Sequence, residues 1–267
     1  MTEQLLLDTY LKHLRLPTFA RQHRLVAEDA ARQQLGYDRY LLALAELEVQ
    51  QREQNLQIRS IKAAHFPLLK ELANFDFSCV TSPAKLSVLD LARGGYLEHA
   101  EPIILVGNPG LGKTHIATGL ALAACRQGRH VRFYNAAGLV NELLQAQDQH
   151  QLPRLLTGLL KQHLIVIDEL GFIPFTTAGA QLLFQVCSSL YERVAVIITT
   201  NLRFADWTQV FGDERLTGAL LDRLTHRAHI LEFIGESYRF RQQQQPPLTV
   251  ALEPPVAAHG GGKVDRH

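Results

Sequence analysis

Residues Gly107-Asn108-Pro109-Gly110-Leu111-Gly112-Lys113-Thr114 fit the pattern G-x-x-x-x-G-K-[ST]. The flanks make this octapeptide restrictive. Ile103-Ile104-Leu105-Val106 before it reads as a buried strand, and His115 to Ala124 after it reads as a helix rich in Ala and Leu. A glycine-rich turn between a strand and a helix can curl until its backbone N–H groups converge, and the helix N-terminus adds partial positive charge at that point. Such a concavity holds a phosphate. Lys113 is placed to reach the β- and γ-phosphates of a nucleoside triphosphate, and the Thr114 hydroxyl to hold Mg²⁺.

From residue 101 onward, apolar runs at 102–106, 131–134, 164–167, 194–199 and 229–233 alternate with helical segments. The alternation predicts an α/β fold, a five-stranded parallel sheet with helices on both faces. Ligand sites of such sheets lie at the C-terminal strand ends. Leu164-Ile165-Val166-Ile167 runs into Asp168-Glu169 there. Asp168 can hold Mg²⁺, directly or through water, and Glu169 can polarise the water that attacks a γ-phosphate. A kinase acting on a small molecule does not need that second carboxylate, so Glu169 favours hydrolysis. Ala195-Val196-Ile197-Ile198-Thr199-Thr200-Asn201 is again a buried strand with a polar end. Asn201 can orient the attacking water and sense the γ-phosphate; alone it would be an ordinary turn-opening Asn. Leu220-Leu221-Asp222-Arg223-Leu224 reads as a helix with one arginine. Phosphate-transferring enzymes often receive an arginine from a neighbouring molecule. Arg223 is the candidate, with Arg203, Arg215 and Arg227 as alternatives and an internal salt bridge as the ordinary reading.

The remaining chain divides around this core. Residues 1–78 read as a small all-helical domain for self-assembly or DNA binding. Leu7, Leu11 and Leu14 recur at helical spacing, and Asp38 is expected to cap a long helix with an apolar stripe of Leu41, Leu44, Leu47, Leu56 and Ile61. Pro67 and Phe75-Asp76-Phe77 end the helical run, and a short helix is expected around Lys85 to Leu91 before the break at Gly94-Gly95. The core spans 79–241. Residues 242–267 hold a glutamine run, four prolines from 246 to 255 and a glycine triplet, a composition expected to be disordered.

With 27 basic and 26 acidic residues the chain carries +1, so any polyanion site must be a local patch. Residues 9–27 hold Lys12, Arg15, Arg21 and Arg24 and no acidic residue, which suits contacts to DNA phosphates, although a solvated helix face has the same composition. The segment from Ala137 to Leu160, with Arg154 and the adjoining Lys161, is a second and thinner candidate. No base-reading motif is visible, so weak sequence specificity on duplex DNA is expected. Cys79, Cys125 and Cys187 form no paired motif and fit a reducing cytosol, hence a cytoplasmic protein. The twelve histidines show no metal-ligand spacing. No apolar run approaches the ~18 residues of a membrane span, and Asp8 and Lys12 argue against a signal peptide.

The order of glycine loop, Asp-Glu strand, Thr-Thr-Asn strand and Leu-Leu-Asp-Arg helix resembles the AAA+ ATPases of the DnaA/DnaC branch. Leu14-Arg15-Leu16-Pro17, Phe75-Asp76-Phe77, Lys113-Thr114-His115 and Gly235-Glu236-Ser237-Tyr238-Arg239 narrow the resemblance to the IstB family over about residues 5 to 241. These are helper ATPases of insertion-sequence transposons. The resemblance implies ATP and Mg²⁺ as cofactors and a nucleotide-contacting run that extends to His115. It implies a homo-oligomer that assembles on and bends target duplex DNA, and that recruits and stimulates a partner transposase. It also implies that the helical element at 137–160 faces a central channel. A DnaC-like helicase loader shares the core and is the alternative. A small-molecule kinase is opposed by Glu169, by Asn201 and by the lack of a recognisable substrate lid. In one respect the chain departs from AAA+ proteins. Too few residues follow the last strand for the usual helical lid with its second arginine sensor, and Arg239 is the candidate substitute.

Overall fold

A computed structural model describes residues 2–82, 85–235 and Ser237. The expected disordered tail and Arg239 lie outside the described residues.

The N-terminal part consists of α1 (Thr2–His13), α2 (Pro17–Arg32) and α3 (Tyr37–Ala64). Pro17 opens α2, where a missing N–H costs nothing. Gly36 is the N-cap of α3, and Asp38 sits inside its first turn without capping it, contrary to expectation. The helix stops at His65 in the left-handed conformation, two residues before Pro67. The expected apolar stripe is also corrected. Leu44 is buried and Ile61 packs on the core beneath α3, but Leu41, Leu47 and Leu56 are 57%, 37% and 53% exposed. The two shorter helices α1 and α2 and the core cover only part of the 28-residue α3, so these leucines stay in solvent.

A buried carboxylate holds this helical part together. Glu48 of α3 accepts from the Thr18 N–H (2.8 Å) at the start of α2 and from Arg52 Nε (2.8 Å). Arg52 in turn donates to the Arg15 carbonyl (2.5 Å), in the turn where Arg15 is left-handed. At its other end α3 lies on the core: Ser60 donates to the Arg129 carbonyl (3.0 Å) and Arg132 to the Ala63 carbonyl (3.2 Å).

The core runs β1 (Val80–Ser82), α4 (Lys85–Leu91), α5 (Gly95–Glu98), β2 (Ile103–Gly107), α6 (Lys113–Arg126), β3 (Val131–Asn135), α7 (Ala136–Asp148), α8 (Leu152–Leu159), β4 (Leu164–Leu170), α9 (Thr177–Leu190), β5 (Ala195–Thr200), α10 (Thr208–Phe211), α11 (Glu214–Thr225) and β6 (His229–Gly235). The strand order is β1-β6-β2-β5-β4-β3. The five expected strands are parallel. The sixth, β1, adds antiparallel to β6 at the edge and was not legible in its three residues. Alternate residues serve two cores. Ile104, Ile165, Ile167 and Ile198 pack with residues of α7, α9 and α11, and Ile103, Leu105, Val166 and Ile197 with residues of α6. Among the described residues no helix is long and apolar enough to cross a membrane.

Candidate active site

The C-terminal ends of β2, β4 and β5 open into a cavity of about 470 Å³. Its floor is the glycine loop. Gly107, Gly110 and Gly112 have φ of +151°, +83° and +88°. A Cβ at Gly107 would meet the Phe233 carbonyl at 2.5 Å, and one at Gly112 the Phe75 ring at 2.4 Å. The loop is therefore confined between β6 and the chain entering the core, and only glycine satisfies both the backbone and the space. Pro109, Gly110, Leu111 and Gly112 line the cavity. Lys113 is 9% exposed, and its ammonium donates to the Gly107 (2.6 Å) and Asn108 (2.8 Å) carbonyls.

Thr114 and Asp168 come together as expected: the Thr114 hydroxyl donates to Asp168 Oδ1 at 3.0 Å. Thr199, not singled out in the sequence, donates to the same oxygen at 2.5 Å and accepts from the Glu169 N–H at 2.9 Å. Burial pushes the Asp168 carboxyl above its ordinary value, against the pull of the two threonine hydroxyls. A buried carboxylate beside hydroxyl oxygens is a hard donor set that suits Mg²⁺, so Thr114 and Asp168 fit the ion.

Glu169 lies where the β4–β5 register shifts, with φ +60°. The bulge turns its carboxylate out of the strand into the cavity mouth. There Asn135 Nδ2 donates to Glu169 Oε2 at 2.8 Å. Asn135 was missed in the sequence. It ends β3 directly beside Asp168 in register, a position visible only once the strands are aligned. Asn201 lines the cavity, as expected.

His115 belongs to the opposite wall. Its Nε2 bonds the Glu71 carbonyl (2.8 Å) and its ring stands edge-on to Phe75 (5.2 Å). That wall, with Lys70, Asn74, Phe75 and Asp76, is the segment leading out of α3. The sequence marked it only as a junction.

Arg223 is not brought to this cavity. It lies with Pro102, Val194 and Val196 at the N-terminal strand ends, while the glycine loop follows the other end of β2. A five-residue strand separates the two by about 17 Å. Arg223 donates to the Ala219 carbonyl (3.0 Å) and covers the Phe184 ring (5.2 Å), with no ion pair among the described residues. Arg227 shares its surroundings, and none of Arg203, Arg215, Arg223 and Arg227 lines the cavity. Of the DNA candidates, Lys12, Arg15, Arg21 and Arg24 are exposed on the α1–α2 hairpin, and Arg154 and Lys161 are exposed on and just after α8.

A glycine loop between β2 and α6, a threonine–aspartate pair beneath it, a glutamate at the end of β4 and β5 inserted between the two strands define a P-loop nucleotide-binding protein of the AAA+ class. The chain matches the model of the IstB-like ATP-binding proteins over residues 9–246 and belongs to that family. It is 32% identical over 251 residues to an ATP-binding protein of insertion sequence IS21 from Pseudomonas aeruginosa, covering 94% of this chain and 95% of the relative. It is 34% identical over 235 residues to the corresponding protein of insertion sequence IS232 from Bacillus thuringiensis subsp. berliner, covering 88% and 94%. Two solved structures share the fold. DnaI superposes with a TM-score of 0.52 at 14% identity, over 61% of this chain and 90% of its own. The replication initiator DnaA, bound to AMPPCP and single-stranded DNA, superposes with a TM-score of 0.51 at 18% identity, over 66% and 53%.

Proposed function

We propose that this protein is an ATPase that assembles on duplex DNA, bends it, and recruits and stimulates the transposase of an insertion sequence. The observation that carries the reading is the split site: phosphate loop, Thr114, Asp168 and Glu169 at one end of the strands, and Arg223 at the other, over the Phe184 ring and with no ion pair among the described residues. Lys113 holds the β- and γ-phosphates, and Thr114 with Asp168 holds Mg²⁺. When bound, that ion neutralises charge on the phosphate oxygens. Glu169 takes the proton of the attacking water, and Asn201 orients that water. Arg223 serves the nucleotide of the adjoining copy, so turnover requires assembly.

The basic hairpin with Lys12, Arg15, Arg21 and Arg24, together with Arg154 and Lys161, supplies contacts to DNA phosphates with weak sequence preference. The exposed leucines of the helical part, among them Leu41 and Leu56, support self-assembly. The boundaries at 78 and 241 divide these roles, except that Lys70, Asn74, Phe75 and Asp76 of the helical part wall the nucleotide cavity, and the protein acts in the cytoplasm. A DnaC-like helicase loader, which would share the same core, is the second reading; the insertion-sequence origin of the relatives favours the first.

Electron microscopy of the protein with duplex DNA, in an ATP analogue and in ADP, tests the proposal. Ordered assemblies on bent duplex in the analogue and their loss in ADP are expected. Monomers under both conditions would reject it.

A further inference from the structure

Across β4 and β5 the register sets Ile167 opposite Ile198 and Leu170 opposite Thr200. Two residues, Asp168 and Glu169, therefore face one, Thr199. This is a β-bulge, and it falls on the two carboxylates of the site. A bulge disturbs the ladder, and here a side chain takes up a backbone group. Glu169 is left-handed at φ +60°, and its N–H donates to the Thr199 hydroxyl at 2.9 Å. The same hydroxyl donates its one proton to Asp168 Oδ1 at 2.5 Å.

Both bonds have a fixed direction. An ionised carboxylate only accepts and an N–H only donates, so the hydroxyl cannot turn round. Thr199 is 1% exposed and Asp168 5%, so little water can replace either bond. Thr114 grips the same carboxylate oxygen from α6 at 3.0 Å, and Thr199 supplies the hold from the sheet. β5 lies between the strand that leads into the glycine loop and the strand that carries the carboxylates.

We propose that Thr199 is a positioning residue whose single hydroxyl sets the Asp168 carboxylate for the ion and holds the bulge that turns Glu169 into the cavity mouth. The proposal rests on the reading of Asp168 as an ion ligand and Glu169 as the general base. Thr199 acts through these two groups, so ion binding and water activation depend on one side chain that does neither. Partners of this kind, one step behind a ligand, fix its orientation.

Thr199→Val and Thr199→Ser test this. Valine keeps the shape and loses both bonds, whereas serine keeps the hydroxyl and loses a methyl. ATP affinity is titrated in Mg²⁺ and in EDTA, and turnover is measured at saturating nucleotide. Folding is followed by the fluorescence of Trp207, the chain's single tryptophan, which is buried. The gain in affinity that Mg²⁺ gives should shrink about tenfold to a hundredfold in Thr199→Val, and turnover at saturation should fall by a similar factor. Affinity in EDTA should stay at the wild-type level, because Lys113 and the glycine loop are untouched. Thr199→Ser should restore both quantities. An equal loss of affinity in EDTA would show general distortion, and a serine variant as impaired as valine would assign the effect to the methyl; either result overturns the proposal. A change in the Mg²⁺ gain without a change in turnover, or the reverse, also overturns it, since one hydroxyl is held to set both. If Thr199→Val does not fold, Thr199→Ala is judged by the same criteria. Asp168→Asn separates the proposal from the reading beneath it. If that variant keeps the Mg²⁺ gain, the reading of Asp168 fails and the proposal falls with it. If it loses the gain while Thr199→Val keeps it, only the role of Thr199 is wrong.

Discussion

Asn135 holds two partners with one amide. Its Oδ1 accepts from the Ala137 N–H (3.1 Å), capping α7, and its Nδ2 donates to Glu169. The roles can be separated. Asn135→Ser keeps a capping oxygen but cannot reach Glu169, whereas Asn135→Ala loses both. Ser should leave stability within about 0.5 kcal/mol and Ala should cost about 1 kcal/mol. Both should raise DNA-independent ATP turnover severalfold, because the carboxylate is no longer held toward β3. If turnover tracks stability instead, the cap alone is being read. Glu169→Gln keeps the shape and an acceptor but removes the charge that polarises water. It should bind ATP normally, since Lys113, Thr114 and Asp168 remain, and lower turnover by at least about a hundredfold, the usual worth of a positioned general base. A titration combined with a single-turnover assay checks both halves.

At the scale of elements, the segment between α3 and the core sets the sign of one substitution. Gly119 lies inside α6, where Ala normally gains about 1 kcal/mol. Here a Cβ would meet Leu72 Cγ at 2.7 Å and its backbone nitrogen at 3.2 Å. Gly119→Ala should therefore lower stability by about 1–3 kcal/mol. It should also weaken ATP binding, because Phe75, three residues beyond Leu72, walls the cavity. A rise in melting temperature would refute this. Glu48 governs the other end of α3. Burial works to raise its carboxyl, but the bonds from Arg52 and Thr18 outweigh it and hold it below its ordinary value. Its contribution is thus complete above the ordinary carboxylate range and is lost as pH falls through the lowered value. Glu48→Gln should cost about 1–3 kcal/mol near neutral pH, and the gap to wild type should begin to narrow as pH falls below the ordinary value of 4.5 and vanish below the lowered one. Urea unfolding followed by circular dichroism at several pH values measures it. A gap that is constant across pH would assign the loss to packing.

For the molecule as a whole, Arg223 and the glycine loop at opposite sheet edges make a sharp prediction about mixtures. Arg223→Ala keeps a complete nucleotide cavity but offers its neighbour nothing, and Lys113→Ala does the reverse. Each alone should be inactive. Mixed, they should restore turnover to at most about a quarter of wild type, because only interfaces of one orientation join an intact cavity to an intact arginine. ATPase activity measured against the mixing ratio decides it. If no ratio exceeds either parent while both fold and co-assemble, Arg223 does not act across the interface.

The glycine loop, Lys113, Thr114, Asp168 and Glu169 were legible because each motif is contiguous. A buried strand, a turn of glycines and a helix N-terminus dictate local backbone geometry, and that geometry aims the polar groups whatever packs around them. The five parallel strands were legible for the same reason, as apolar runs separated by helices. The meeting of Asn135 with Glu169 was not, because strand register decides it across 34 residues. Nor was β1, whose three residues become a strand only by pairing with β6. The exposure of Leu41 and Leu56 escaped periodicity, which finds a helix's apolar face but not whether anything covers it. Sequence order likewise put Arg223 among the site residues without saying at which sheet edge it stands. Local pattern thus determined the phosphate-binding half of the site. Tertiary packing alone decided which distant side chains wall the cavity, and that Arg223 stands at the opposite strand ends.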